Sequence, residues 1–289
     1  MLYSLIVLRI GYLDTNKHRT PNFMKAFILA AGRGSRLLTL TDDRPKCWVK
    51  LYDKPLIQWQ LATLRKAGIS DITIVTGYLS DAFNILGVSL AHNPEWADTN
   101  MVESLFSAEP DFGDDILVCY ADIVYEPRIL ENISKSTAAI SIVADRSWHS
   151  YWQQRFDDPL SDAETFRANA DGTITDIGQK PKTINEIQGQ YVGLLRFRGE
   201  GIAALKTARK RIFSTPPSWM GGRKPAKAYM TDILQVLIEG GYPPIAVDVH
   251  GGWVEIDTPS DLDVARKITH PADDGTLRIV DARTNKAPA

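Results

Sequence analysis

Two sets of residues in this 289-residue chain are placed where they could do chemistry on phosphate. The first is a glycine turn, Ala30-Ala31-Gly32-Arg33-Gly34-Ser35-Arg36, which follows an apolar run and is succeeded by Arg44 and Lys46. Glycines let the backbone approach closely and aim several N–H groups at one anion. Four cations in or just after such a turn suit an anion of several charges, such as a triphosphate. The second set is a pair of carboxylates, Asp122 and Asp257, just past apolar runs that end at Tyr120 and Ile256. Carboxylates at the carboxyl ends of buried strands sit where open α/β sheets bind ligands. Two of them can hold a Mg²⁺ that also takes phosphate oxygens. Glu255 has the wrong strand parity to share their face, yet it is near enough to be a third ligand or a substrate contact. A plain turn, solvated surface charge or a capping aspartate would each explain one of these residues alone.

Other phosphate loops fit less well. A Walker loop needs GxxxxGK followed by Ser or Thr, and the chain has none. The dinucleotide fingerprint needs a third Gly or Ala, where Leu37 stands, and an acid at the end of the second strand, where the chain reads Val75-Thr76-Gly77. No Ser/His/Asp or Cys/His arrangement is evident, and the 5 histidines are scattered.

The elements that must position these groups alternate. Lys25–Ala31, Asp71–Thr76, a stretch near Val88–Ala91, Asp115–Tyr120 and Ala138–Ala144 read as strands. Helices are expected over Pro55–Gly68, about Asn100–Ala108 and Pro127–Ser134. This order predicts an α/β fold, a mostly parallel central sheet with helices on both faces. Farther on, Phe166–Asn169 and Thr173–Ile177 flank a hairpin signal, Tyr191–Arg198 is a strand, and Ile202–Arg211 a helix. Phe213–Lys227 is Pro/Gly-rich and reads as a mobile loop before a helix at Tyr229–Glu239 and a strand at Pro244–Val249. In DTPSDL, Thr258 and Asp261 make a capping-box start. We expect one domain over residues 24–270 with a small β-rich lid insertion at about 145–230, and a polar tail over 271–289.

Composition is that of an ordinary globular protein, 44% hydrophobic and 24% charged, with a formal net charge of −2. Such a balance argues against a general nucleic-acid binder. Cys47 and Cys119 form no metal spacing or disulfide framework and fit a reducing cytoplasm. Residues 1–23 contain a short apolar stretch interrupted by Arg9, too short to span a bilayer. They read as an extension outside the core, with the fold expected to start at Met24 and no membrane partner.

AGRGSRL followed by Arg44-Pro45-Lys46 resembles the signature of nucleotidyltransferases that activate sugar phosphates and small phospho-alcohols. The likeness runs over nearly all of Met24–Ile268 and implies a Rossmann-like, GT-A-like fold. It implies a turn around the triphosphate at Ala30, Ala31, Gly32, Arg33, Gly34 and Ser35, with Arg36 and Lys46 stabilising departing pyrophosphate. Asp122 and Asp257 would be the Mg²⁺ ligands. Leu38-Thr39-Leu40 departs from the family, where a proline is frequent.

Thr99-Asn100 with Ser104-Leu105, QYVGLLRF and WVEIDTPSDL resemble the choline-phosphate and 2-aminoethylphosphonate cytidylyltransferases. That branch implies CTP as a substrate and a small phosphate or phosphonate acceptor. Gly77, Tyr78, Thr99, Asn100 and Ser104 would then meet the nucleotide, and Lys180, Tyr191, Asp232 and Glu255 the acceptor. A quaternary ammonium acceptor could use Trp148, Tyr151, Trp152, Trp219, Tyr229 or Trp253. A primary amine could use Asp145, Asp157, Asp158 or Asp232. A sugar-1-phosphate nucleotidyltransferase and a non-catalytic nucleotide-binding regulator are the competing readings. Oligomeric state is left open, a homodimer included.

Overall fold

The computed structural model describes residues 24–280. Seven strands build the central sheet: β1 (Lys25–Ala30), β2 (Ile72–Thr76), β3 (Ser89–His92), β4 (Asp115–Tyr120), β5 (Ile140–Asp145), β6 (Gln190–Arg198) and β7 (Ile245–Val249). Their spatial order is β7-β5-β6-β4-β1-β2-β3. Every pairing is parallel except those of β6, which runs antiparallel to both β4 and β5.

The inner strands are apolar almost throughout because both sheet faces are covered. Alternate side chains sort to the two sides. Ala26, Ile28 and Ala30 of β1 join a core with Leu117, Cys119 and Val143, whereas Phe27 and Leu29 join one with Val118, Ile142 and Leu195. The first face is covered by α1 (Leu56–Lys66), α3 (Pro127–Lys135), α4 (His149–Arg155) and α7 (Pro259–Ile268). The second is covered by α2 (Met101–Phe106), α5 (Glu200–Ser214) and α6 (Met230–Glu239).

Two short strands outside the main sheet join distant parts of the chain. Ile123–Tyr125 pairs antiparallel with Trp253–Glu255, with Ile123 opposite Glu255. The Ile256 N–H then donates to the Asp122 carbonyl at 2.9 Å. This small ladder carries Asp122 and Asp257 to one place.

Two expectations are corrected. The insertion is narrower than 145–230: within that span only Phe166–Ala168 and Ile174–Ile177 form a separate hairpin, while β6 lies inside the main sheet and α5 packs on it. The tail does not begin at 271, because Thr269–Pro271 pairs with Leu277–Ile279 and buries Leu277 and Ile279. In the stretch read as a loop, residues 213–227, α5 continues to Ser214, and turns of 3-10 helix follow at Ser218–Met220 and Pro225–Lys227. The proposed extension, 1–23, and residues 281–289 lie outside the described residues.

Candidate active site

The glycine turn leaves β1 at its carboxyl end. Gly34 has φ +75°, a left-handed conformation that favours glycine. A Cβ there would also lie 2.6 Å from the Lys46 Cβ, so the bare glycine lets the lysine stem cross the turn. The Lys46 ammonium reaches Asp122 Oδ2 at 2.7 Å and is hydrogen-bonded to Asp257 Oδ1 as well. Arg36 donates to the same Asp257 oxygen at 2.9 Å, with its side chain 63% exposed.

Asp257 stands just past the strand Trp253–Glu255, where α7 begins. The Asp261 carboxylate accepts from the Asp257 and Thr258 N–H groups at 2.9 and 2.8 Å, so the expected capping box also fixes Asp257. Glu255 and Asp257 stand two residues apart, so alternation puts them on one face, against the parity expected for Glu255. Asp122, Glu255 and Asp257 offer carboxylate oxygens within 4.8 Å of one another. Asp122 Oδ1 is buried without a hydrogen-bond partner. An all-carboxylate set with a partnerless buried oxygen fits a hard divalent cation.

Arg155, from α4, holds this cluster from behind. Its side chain is 0% exposed and donates to Glu255 at 2.6 Å, Asp261 at 2.9 Å and Asp257 at 3.5 Å. Burial opposes the Arg155 charge, but Glu255 and then Tyr151 and Asp261 more than restore it. Burial likewise opposes the Lys46 charge, and Asp122 and Asp257 outweigh it. At Asp257, Lys46 and Arg36 overcome burial and lower the carboxyl below its ordinary value. Glu255 goes the other way, pushed up to about 8 by burial and then by Asp257.

Two cavities meet at these groups. One, of ≈ 220 Å³, is lined by Ala30, Ala31, Gly32, Gly34, Arg36, Lys46, Trp96, Thr99, Asn100, Ser104 and Asp122, among others. The other, of ≈ 210 Å³, is lined by Arg36, Tyr120, Asp122, Asp162, Glu164, Gln190, Tyr191, Tyr229, Thr231, Glu255 and Asp257, among others. Arg36, Met101 and Asp122 border both.

In the first cavity Asn100 caps α2 by accepting from the Met101 N–H at 2.8 Å. The buried Asn93 amide ties Thr99 and Ser104 together, donating to their hydroxyls at 2.9 and 3.1 Å. Gly77 and Tyr78 brace the cavity from outside its lining. A Cβ on Gly77 would sit 2.5 Å from the Trp96 Cβ. The Tyr78 ring meets Trp96 edge-on at 5.3 Å, and its hydroxyl donates to the Asp42 carbonyl.

Other expected residues are engaged elsewhere. Arg33 pairs with Asp42 and Arg44 with Asp43, so all four cations near the turn are paired with carboxylates, these two away from Asp122 and Asp257. Ser35 is exposed and opens a 3-10 turn. Tyr191 and Glu255 line the second cavity, but Lys180 and Asp232 do not. Lys180 donates to the carbonyls of Leu160 and Ser161. Asp232 caps α6 at the Tyr229 N–H and pairs with Arg223 at 2.6 Å.

Sequence reasoning missed Arg155, Asn93, Asp162 and Glu164. Arg155 sits in a seven-residue helix whose carboxylate partners are about 100 positions away, so no local spacing announces it. Asn93, preceding Pro94, was the more readable signal of a built loop.

Comparison with known proteins identifies the family. The MobA-like NTP transferase domain matches residues 26–170. CTP:phosphoglutamine cytidylyltransferase of Campylobacter jejuni is 38% identical, over 83% of this chain and 98% of that protein. A choline-phosphate cytidylyltransferase of Streptococcus pneumoniae is 36% identical over 39% of this chain and 52% of its own length. The solved CTP:phosphocholine cytidylyltransferase of S. pneumoniae shares the fold, with TM-score 0.65 at 23% identity, covering 84% of this chain and 98% of that one. A purely regulatory role is set aside, since Arg36, Lys46, Asp122 and Asp257 are all present and converge. The chain belongs to the MobA-like NTP transferase family and is a nucleotidyltransferase.

Proposed function

We propose that the protein transfers CMP from CTP to a phosphate or phosphonate oxygen of a small acceptor and releases pyrophosphate. The observation that carries this reading is the pair of cavities joined at Arg36 and Asp122, one beside the glycine turn and one beside the carboxylates. Cytosine would lie toward Thr99, Asn100 and Ser104, with the triphosphate along Ala30–Gly34. The acceptor would occupy the second cavity and face the α-phosphorus across the shared border.

The acceptor oxyanion attacks the α-phosphorus, a new P–O bond forms, and the bond to the β-phosphate oxygen breaks. An oxyanion is already a competent nucleophile, so positioning and charge neutralisation suffice. Arg36 and Lys46 offer positive charge to the leaving pyrophosphate. The Lys46 ammonium gives two of its three N–H groups to Asp122 and Asp257 and keeps a third for a phosphate oxygen. Arg155 keeps the carboxylates together while this happens.

Asp122, Asp257 and Glu255 would hold Mg²⁺. When bound, the ion would neutralise phosphate charge and orient the triphosphate. Among the described residues no helix is long and apolar enough to cross a membrane.

The test is pyrophosphate release with Mg²⁺, crossing CTP, UTP, dTTP, ATP and GTP against phosphocholine, phosphoethanolamine, 2-aminoethylphosphonate, phosphoglutamine and glucose 1-phosphate. Turnover with CTP and at least one nitrogen-bearing acceptor is expected. Turnover confined to glucose 1-phosphate, or none with CTP, would overturn the reading.

A further inference from the structure

The acceptor cavity is more acidic than binding a phosphate requires. Its carboxylates at the shared border are offset by Lys46, Arg36 and Arg155. Asp162 and Glu164, on the segment before Phe166, add two more to the lining. The Glu164 carboxylate has no ion pair or hydrogen bond among the described residues; only its backbone carbonyl is engaged, by the Gln190 amide. Arg223 and Lys180 act on it only at a distance, their own contacts being with Asp232 and with the carbonyls of Leu160 and Ser161. Thr231 lines the same cavity, is 5% exposed, and has no partner for its hydroxyl among the described residues. Glu164 is half-buried; a carboxylate partly removed from water with no cation in contact is costly, and the Thr231 hydroxyl at the cavity wall adds an acceptor. Both are satisfied together by a ligand cation with N–H donors.

We propose that Glu164, with Asp162 beside it, receives a primary ammonium group on the acceptor, which makes Glu164 a specificity-determining residue. It rests on the acceptor cavity of the reaction proposed above and narrows the acceptor to ammonium-bearing phosphates or phosphonates. A quaternary ammonium is disfavoured by the same geometry. It has no N–H to offer Glu164 or Thr231, and it binds through open aromatic faces. Those faces are occupied here. Tyr151, Trp152 and Trp253 pack against one another at 5.6–6.0 Å between centroids. Arg155 lies 5.3 Å over Trp152, and Arg223 lies 4.6 Å over Tyr229. Tyr120 and Tyr191 meet edge to face at 5.5 Å.

The experiment is calorimetric binding to full-length protein holding Mg²⁺ and a non-hydrolysable CTP analogue. The probes are ω-aminoalkyl phosphates of two to four carbons, alkyl phosphates of the same lengths, and phosphocholine. A charge-assisted contact predicts that the best aminoalkyl phosphate binds about ten-fold or more tighter than its alkyl counterpart. Glu164→Gln should erase that preference and leave alkyl phosphate affinity within about two-fold. Asp162→Asn should reduce it, and serves if the first variant does not fold. Equal binding of the two series, phosphocholine binding as tightly as the best amine, a preference that survives Glu164→Gln, or no binding at all would each overturn the proposal. The transfer reaction fails separately, by absence of pyrophosphate release from CTP in a protein that still shows the ammonium preference.

Discussion

Arg155→Met removes the only charge on a fully buried side chain that touches three carboxylates. Deleting one member of a buried ionic network costs about 3–5 kcal/mol, mostly from the charges left behind. Here the loss is uneven. Asp257 keeps Lys46 and Arg36, and Asp261 keeps the N–H groups of Asp257 and Thr258. Glu255 has no other cation contact and is already pushed up to about 8 by burial and Asp257. It will take up a proton rather than stay buried as an anion, so the cost falls toward the lower end, about 3 kcal/mol at pH 8. The sign with pH follows from the direction of each shift. An acid whose folded pKa is raised loses stability as pH climbs from its unfolded value through the folded one. Removing Arg155 raises Glu255 further and weakens the depression at Asp257, which stabilises the wild type above the ordinary carboxylate range. The penalty should therefore grow between pH 7 and pH 9, as wild-type Glu255 ionises beside Arg155 while the variant's stays protonated. Urea unfolding followed by circular dichroism measures it at both values. An unchanged midpoint at pH 9, or a penalty equal at the two pH values, would refute the reasoning.

Asp122→Asn should lower turnover by about 10²–10³-fold, while the urea midpoint stays near wild type because Lys46 retains Asp257; wild-type rates would remove Asp122 from the site. Gly77→Ala places a methyl 2.5 Å from the Trp96 Cβ and 2.7 Å from the Ala31 carbonyl, so KM for the nucleotide should rise more than kcat falls. An unaltered KM would show that this wall does not shape the nucleotide cavity. Glu164 is pushed up to about 7 by burial and then by Asp162 and Asp232. Its ionisation should cost up to about 3 kcal/mol, absent below pH 4.5 and complete above pH 7. Glu164→Gln should accordingly raise the ligand-free melting temperature at pH 8 and leave it unchanged at pH 4; equal shifts at both would contradict an ionised Glu164.

The parts of the fold that were legible are those decided by local pattern. β1, β2 and β4 are apolar runs bounded by turns, and Thr258 with Asp261 forms the capping box their spacing announces. The glycine turn was readable because a left-handed φ at Gly34 and close approach of Lys46 both demand glycine. What was hidden depends on long-range contact. β6 carries nothing in its residues to say that it enters the sheet antiparallel between β4 and β5. Glu255 and Asp257 stand two apart and share a face by alternation, so the parity expected for Glu255 does not hold, and Arg155, which binds both, lies about 100 residues away in sequence. Lys180 is suggested by its likeness to a family lid lysine and Asp232 by its type alone; nearby carbonyls and a helix N-terminus engage them here. The acids that line the acceptor cavity, Asp162 and Glu164, fall in an irregular stretch where no period marks a face.

The central claim is that an acceptor oxyanion displaces pyrophosphate from the α-phosphorus of CTP. Phosphorus NMR of a reaction containing CTP, Mg²⁺ and an aminoalkyl phosphate tests it most directly. The account predicts equal amounts of pyrophosphate and a new CDP-linked product with a P–O–P bond between nucleotide and acceptor. CMP with pyrophosphate but no linked product, or CDP with the γ-phosphate moved to the acceptor, would contradict it.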